Sequence, residues 1–378
     1  MKKLLSIALV LVLLTIATAC GGGNYTSPSS DSSPAGPATP SSAASTSQAS
    51  SEPQLAADEL ENQIVIGDWG GVWNEMAETE VYAPFKAAYP GTEIVSDFPG
   101  SSGAILAKLE AQKNSPQFDV ALMTELMTIK AIQAGLLEEI DRSKLPEMDN
   151  VVEAAIMGNY GPAVLLGEVG IAYNPNLVAT PPTKWADLAN PEYKDMIALP
   201  DIANTSAILF LCQVAANNGG GENDINPGFS FLEGMMDNVK TTYKGDPDIQ
   251  TLFEREEVAI AVWWNGPALS AKQNGLDIEY VRPADGAPAV RSFINVVKGA
   301  PHPNAAYRMV AQYISPQAQQ GVVDMVNYGP TNKNVQVPEE KKAFIATGDD
   351  LAKLVNFDWA VIAENSNDWT DRWNKLFG

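Results

Sequence analysis

The sequence predicts an α/β fold with two lobes, because two series of strand–helix units follow one another along the chain. Strands that alternate with helices are typical of parallel βαβ units covered on both faces. The first series spans residues 64–134 and the second spans residues 196–263. Further apolar segments would connect the two lobes across a cleft, and they span residues 165–173, 278–283 and 292–297.

The individual elements follow from the spacing of the apolar residues. In the first series, strands are predicted over residues 64–68, 92–98 and 118–123, and helices over residues 74–89, 102–112 and from the third strand to 134. In the second series, strands are predicted over residues 196–200 and 258–263, and helices over residues 204–217 and 248–255. The chain then returns to the first lobe through helices predicted over residues 303–314 and 317–327.

The first twenty residues indicate export. Lys2 and Lys3 precede an apolar run over residues 4–16, which is too short for a membrane span and typical of a signal peptide. Small residues lead into Cys20 and resemble a bacterial lipobox, which implies cleavage after residue 19 and lipidation of the Cys20 thiol. An ordinary secretory signal followed by a chance cysteine is the alternative.

A domain organisation follows from composition. The segment after Cys20 is dominated by Ser, Pro, Ala and Thr and is expected to be a disordered tether, because it holds too few apolar residues to offset its ordering entropy. The expected order is a signal peptide over residues 1–19, a lipidated tether over 20–62, lobe one over 63–169 with 286–335, lobe two over 170–285, and a C-terminal helical segment over 336–378.

The net charge of −22 excludes nucleic acid and anionic lipid surfaces as partners, since both require basic patches. We therefore expect contact with a membrane only through the lipid anchor, and a protein kept monomeric by its like charges. A cationic solute is compatible with this charge. Cys212 lies in an apolar run and is expected to be a buried small hydrophobe, so the mature domain has no disulfide.

The sequence carries little that points to catalysis. His302 is the single histidine and lies between two prolines, and the chain contains no nucleophile elbow, zinc-binding helix motif, phosphate-binding loop or EF-hand loop. We expect a protein that is not an enzyme and that has no cofactor and no metal. The amphipathic stretch over residues 358–374 is expected to pack its tryptophans on a lobe rather than to contact solute or membrane.

Several short segments, in order, resemble the family 1 extracellular solute-binding proteins of ABC importers, and the spermidine/putrescine-binding branch in particular. The resemblance covers nearly all of residues 64–378. It implies the two-lobed type II periplasmic binding protein fold, which closes on its solute by a hinge, and docking to permease subunits. The matching segments are GDWGG at 67–71, GSSG at 100–103, QFDV at 117–120, AGLLEEID at 134–141, IAYNP at 171–175, WADL at 185–188, NPEYK at 190–194 and YGPTN at 328–332.

The predicted solute site lies in loops at strand ends that face the cleft. A Trp face attracts an ammonium group by about 0.5–2 kcal/mol, and a neighbouring carboxylate could add a charge-assisted hydrogen bond. The alternatives are that Trp69 packs between the lobes, that Asp68 caps a helix, and that Glu125 faces water. The candidates in the first lobe are Asp68, Trp69, Ser101, Ser102, Gly103, Thr124, Glu125 and, as a lid near the hinge, Tyr328.

The second lobe contributes a helix start and a pair of adjacent tryptophans. Serine and threonine hydroxyls at a helix N-terminus suit a carboxylate or phosphate, although plain N-capping is the alternative for every such segment. Neighbouring residues of a strand face opposite sides, so Trp264 is expected in the cleft and Trp263 in the core. The candidates in this lobe are Asn204, Thr205, Ser206, Trp264 and Asn265.

These features predict a small amine-containing solute, either a polyamine such as putrescine or a short amino acid. Two helix N-termini and two tryptophans would suit a zwitterion, whereas the acidic residues that grip polyamines in the resembling branch are matched less clearly. Another small solute, such as a thiamine-like compound, a phosphonate or a sugar, is the alternative. A surface hydrolase built on paired carboxylates is the remaining one.

Overall fold

A computed structural model describes residues 60–378 of the chain, so the predicted signal peptide, Cys20 and most of the predicted tether lie outside the described residues. The strands in this part of the chain are β1 (Gln63–Gly67), β2 (Glu93–Asp97), β3 (Val120–Thr124), β4 (Ala163–Tyr173), β5 (Ile197–Pro200), β6 (Val239–Tyr243), β7 (Ile260–Trp264), β8 (Glu279–Val281), β9 (Ala287–Val296) and β10 (Leu354–Val355).

The helices surround these strands on both faces. They are α1 (Gly71–Ala77), α2 (Ala83–Ala88), α3 (Ser102–Ala111), α4 (Glu125–Gln133), α5 (Thr205–Asn217), α6 (Asn226–Gly234), α7 (Asp246–Glu254), α8 (Asn265–Gln273), α9 (Pro303–Tyr313), α10 (Pro316–Gly321) and α11 (Trp359–Phe377). A π-helical segment over Glu78–Tyr82 joins α1 to α2, so one long helical stretch accommodates Pro84 near the start of α2.

The strands follow the order β2-β1-β3-β9-β4-β7-β5-β6, and β8 and β10 pair at the sides of β4 and β9. We call β1, β2, β3 and β9 the first half-sheet and β5, β6 and β7 the second half-sheet. Within the first, β1 pairs parallel with β2 and β3, and within the second, β5 pairs parallel with β6 and β7. These parallel pairs confirm the two predicted βαβ series.

Strand β4 links the two half-sheets, since its partner changes part-way along its length. Residues 163–168 pair antiparallel with β9, and residues 169–173 pair antiparallel with β7. Almost every residue of β4 is buried, as expected for an apolar run covered on both faces. The change of partner falls between Glu168 and Val169, where the Glu168 N–H donates to Asn265 Oδ1 at 3.0 Å instead of to a strand.

Separate cores lie on the two half-sheets. Ile64, Val120 and Phe293 belong to the main core of the first, whereas Ile197, Phe210 and Val262 belong to a core of the second. Cys212 is buried in the second core, as predicted. Helix α11 adds a row of residues to that core, which confirms the packing role predicted for it; the row comprises Trp359, Ile362, Trp369 and Trp373.

Four elements of the second half of the chain were not predicted: α6, β6, α8 and the two-residue strand β10. Strand β6 has the sequence VKTTY and lies at the outer edge of the second half-sheet, where it needs few apolar residues. Helix α6 begins Asn-Pro-Gly, which reads as a turn, and α8 begins directly after the β7 tryptophans. The predicted strand over 118–123 begins two residues later, at Val120.

Candidate functional site

A cavity of about 430 Å³ lies at the carboxyl ends of the first half-sheet's parallel strands, and the second half-sheet reaches it through Trp264. Its lining is aromatic, apolar and neutral-polar. The lining residues are Trp69, Trp73, Gly100, Ser102, Thr124, Leu165, Trp264, Val290, Ser292, Val326 and Tyr328. This is the place where a fold of this kind binds ligands.

One row of paired residues forms the floor of the cavity. Ser292 of β9 lies opposite Thr124 of β3 on one side and opposite Leu165 of β4 on the other. Val290, two residues earlier in β9, faces the same side because strand residues alternate. The floor therefore lies where the strands that cross between the two half-sheets meet the end of β3.

Trp69 forms one wall and is held in a defined orientation. Its Nε1–H donates to Ser102 Oγ at 2.9 Å, and the same Oγ accepts the Thr124 N–H at 3.1 Å. The Trp73 ring packs edge-on against Trp69, with centroids 5.1 Å apart and an interplanar angle of 70°. Ser102 thus connects the ends of β1 and β3, and its own hydroxyl hydrogen is left for an acceptor in the cavity.

The opposite wall consists of Trp264 and Tyr328. Trp263 is fully buried and donates to Asp246 Oδ1 at 2.8 Å, while Trp264 is half-buried and lines the cavity, the placement that alternation predicts. The Tyr328 ring lies between two glycines. A Cβ atom at Gly167 or at Gly266 would come within 2.7 Å of that ring, so both positions require glycine.

Asp68 lies beneath the cavity surface instead of in it. Its side chain is completely buried, accepts the Trp69 N–H at 2.6 Å through Oδ1, and accepts the Tyr82 hydroxyl at 3.0 Å through Oδ2. Burial raises the pKa of this carboxyl to about 6, and the two hydrogen bonds only partly oppose that rise. In this geometry Asp68 positions the backbone of Trp69.

Glu125 is also engaged inside the protein. Its carboxylate forms a two-point ion pair with the Arg291 guanidinium, in which Nε donates to Oε2 at 3.0 Å and Nη2 donates to Oε1. Arg291 lies between the cavity-facing residues Val290 and Ser292 in β9, and it lies outside the cavity lining. The charges of this pair therefore neutralise one another beside the floor.

The predicted anion site at the start of α5 lies outside the cavity lining as well. Asn204 Oδ1 accepts the Ser206 N–H at 3.1 Å and the Ser206 hydroxyl at 2.9 Å, so this helix start is capped by its own side chain. Thr205 is exposed, and Asn265 is buried with its amide oxygen on the Glu168 backbone. Solute contact by these four residues remains a prediction.

Of the three candidates at the start of α3, only Ser102 lines the cavity. Ser101 caps α3 by accepting the Ala104 N–H at 3.2 Å, and both Ser101 and Gly103 are exposed beside the cavity, outside its lining. Of the predicted site residues, the cavity brings together Trp69, Ser102, Thr124, Trp264 and Tyr328. Sequence reasoning missed the other lining residues, which are Trp73, Gly100, Leu165, Val290, Ser292 and Val326.

A second cavity, of about 450 Å³, lies at the C-terminal ends of α3 and α4 and shares no residue with the first. Its lining includes Lys113 and Lys298 and has no aromatic side chain. Residues 60–378 contain no cluster of three or more His, Cys, Asp or Glu side chains able to hold a metal ion. The helices described for this chain also include none that is long and apolar enough to cross a bilayer.

A family model described as bacterial extracellular solute-binding protein matches residues 114–354. The chain belongs to this family. The family and the fold are those of solute-binding proteins of transport systems and not of enzymes. The two half-sheets and the shared strand β4 are the two lobes and the connection of the type II periplasmic binding protein fold, with the solute cleft between the lobes.

Individual relatives and one solved structure are consistent with this family assignment. The chain is 24% identical over 254 residues to the spermidine/putrescine-binding periplasmic protein of Escherichia coli, covering 64% of this chain and 71% of that protein. It is 25% identical over 291 residues to the putrescine/agmatine-binding protein of Pseudomonas aeruginosa, covering 70% and 78%. The structure of an ABC transporter protein from Clostridium perfringens superposes with a TM-score of 0.73 at 26% identity, covering 83% of this chain and all of that one.

Proposed function

We propose that this protein captures a small amine-containing solute, a polyamine or a short amino acid, outside the cytoplasm and delivers it to an ABC importer. The observation that carries the proposal is the pair of facing aromatic walls, Trp69 on one side and Trp264 with Tyr328 on the other, across a cavity of about 430 Å³. That volume suits a small organic molecule.

Ring faces in a partly desolvated cavity attract an ammonium group, and methylene groups pack on the same faces. Burial raises the pKa of the Tyr328 hydroxyl, and the negative charge of Asp246 raises it further, so the Asp246 carboxylate lies close to the Tyr328 side of the cavity. An amine bound between Trp264 and Tyr328 would meet both features. The names of two relatives, which bind spermidine, putrescine or agmatine, support an amine.

Delivery would depend on closure of the lobes about the point where β4 changes partner. We propose the lobe boundaries given above, with lobe one over residues 63–169 and 286–335 and lobe two over 170–285. Trp264 would then approach Trp69 as the lobes close, since it is the lining residue contributed by lobe two. The closed form would present exposed residues of both lobes to the permease subunits.

We also propose that the mature protein is a monomer held at the outer face of the membrane by a lipid on Cys20. The support for this proposal is the arrangement of Lys2, the apolar run, the small residues and Cys20 along the sequence. Metabolic labelling with a radioactive fatty acid, compared between the wild-type protein and Cys20→Ser, tests the anchor. Label in the wild type alone is expected, and label in neither would contradict lipidation.

Thermal denaturation of the mature protein with a panel of diamines, polyamines and amino acids tests the solute. A solute at a hundred times its dissociation constant should stabilise the protein by about 2.7 kcal/mol. Sugars, phosphonates and thiamine serve as controls within the same panel. Stabilisation by one of these controls and by no amine would overturn the proposed solute class.

A further inference from the structure

None of the residues that line the cavity carries a charge. Three acids next to lining residues are engaged: Asp68 with Trp69 and Tyr82, Glu125 with Arg291, and Asp246 with the Trp263 indole N–H. A molecule with an ammonium group at each end would find the Asp246 carboxylate close to the Tyr328 side and no free carboxylate on the floor. Burying a charge without a partner is costly, so the two ends of the solute are expected to differ.

The floor offers hydrogen-bond donors. Ser292 is 6% exposed, lines the cavity, and its hydroxyl makes no hydrogen bond to any residue in the range 60–378. Ser102 is 8% exposed, and its oxygen already accepts two N–H groups, so its hydrogen can only be donated onward. A serine that is largely buried and whose hydroxyl opens onto a cavity offers its hydrogen bond to whatever fills that cavity.

A helix N-terminus adds positive potential next to these hydroxyls. Helix α4 begins after Thr124, is nine residues long, and has no side-chain cap. Thr124 lies opposite Ser292 and lines the cavity. Uncapped first-turn N–H groups and the helix dipole favour an anion, and the buried Ser292 hydroxyl is an independent sign that a hydrogen-bond acceptor belongs there.

We propose that the solute carries a carboxylate that binds the hydroxyls of Ser102 and Ser292 and the first turn of α4, while its ammonium group lies between Trp264 and Tyr328. This inference rests on the proposed function and narrows it from amines in general to amino acids whose amine and carboxylate are separated. The ligand would be a zwitterion that matches the polarity of the two sides of the cavity. Polyamines would be poor ligands.

Matched pairs of equal length test the inference by isothermal titration calorimetry on the mature protein. Straight-chain ω-amino acids of three to six carbons are compared with the diamines of the same lengths. At least tenfold tighter binding of one amino acid than of its diamine is expected, from one charge-assisted hydrogen bond gained and one buried charge left unpaired. Tighter binding of the diamine would overturn the inference and leave the proposed function standing. Binding of neither series would overturn the inference, and the thermal-denaturation panel would then decide whether the proposed function stands.

Ser292→Ala locates the carboxylate. Because the Ser292 hydroxyl bonds to no described residue, the variant should fold normally and lose roughly tenfold in affinity for the best amino acid. Ser230→Ala is the matched control, since Ser230 is exposed on α6 and does not line the cavity. This variant should bind the amino acid with wild-type affinity. Unchanged affinity in Ser292→Ala would contradict the assignment. Ser292→Thr should restore binding in part, because the hydroxyl is retained.

Discussion

The two half-sheets are built alike, yet they contribute very differently to the cavity. Each has parallel strands whose carboxyl ends lead into helices. In the first half-sheet, the residues at these ends line the cavity, as Ser102 and Thr124 do. In the second, the start of α5 is closed by its own Asn204 cap, and Trp264 is the single residue that reaches the cavity.

The difference lies in which strand–loop–helix units keep polar groups without internal partners and so have them available for a solute. The Asn204 side chain accepts hydrogen bonds from the N–H and the hydroxyl of Ser206, so these two donors at the start of α5 already have a partner. Ser292 and the first turn of α4 have no such side-chain partner. The first half-sheet would therefore supply most of the binding energy. The second would supply the Trp264 ring, which approaches the solute as the lobes close.

The largest effect is expected where β4 passes from one half-sheet to the other, at Glu168. Glu168 is 1% exposed and accepts Arg282 Nε at 2.6 Å, and burial raises the pKa of Glu168 to about 7. Arg282→Met leaves a buried carboxylate without its cation and should destabilise the protein by about 3–5 kcal/mol at pH 8. Urea denaturation measures the loss.

The double variant Arg282→Met with Glu168→Gln is the control, and it should recover most of that loss. The carboxylate can bind a proton when its cation is gone, so the penalty in the single variant should also shrink below pH 7. A penalty of the same size at pH 5 and pH 8 would show that the ion pair is not its cause.

A smaller effect concerns Asp68 in the first half-sheet. Its folded pKa of about 6 lies above its ordinary value of 3.8, so the folded state holds this proton more tightly. The corresponding stability is fully present below pH 3.8 and is lost as the pH rises through 6. Between pH 4 and pH 7 the wild-type protein should lose roughly 2 kcal/mol relative to Asp68→Asn. Parallel pH profiles of unfolding free energy for the two proteins would contradict the raised pKa.

Trp264 tests how much one residue of the second half-sheet can contribute. Trp264→Ala should weaken solute binding roughly tenfold, because it removes one of the two rings of the Trp264–Tyr328 wall and its cation–π contact. Trp264→Phe should retain a part of the affinity, since a ring remains. Calorimetric titration measures both, and wild-type affinity in the alanine variant would show that the second half-sheet contributes nothing to binding.

The smallest effect is expected at the start of α5. Asn204→Ala should reduce the free energy of unfolding by about 1 kcal/mol through loss of the cap and leave solute affinity unchanged. A loss of affinity there, with the same loss of stability, would restore the second-lobe anion site that the sequence predicts and would remove the contrast between the half-sheets.

The fold could be predicted from the sequence because its signals are local. Apolar periodicity is enough to find most strands, the connection through β4 and the buried face of α11. Edge strand β6 carries a weak pattern, and helix α6 starts with residues typical of turns. A prediction that depends on the spacing of apolar residues therefore misses both elements.

The site could be predicted only in part because its decisive contacts are distant in sequence. Asp68 and Glu125 were expected to face the solute, but the partner of Glu125 is Arg291, 166 residues away, and Asp68 binds Tyr82. Ser292 was missed because β9 was read as a connection. Its one local signal is a serine that directly precedes the apolar run Phe293-Ile294 in a mostly buried strand.

The central claim is that the solute binds in the cavity between Trp69 and Trp264. A crystal structure of the protein with the solute selected by the calorimetric panel tests it most directly. The account predicts an ammonium group between Trp264 and Tyr328 and an acidic group within about 3 Å of the Ser292 hydroxyl. A solute bound instead at the start of α5, or in the second cavity beside Lys113 and Lys298, would contradict it.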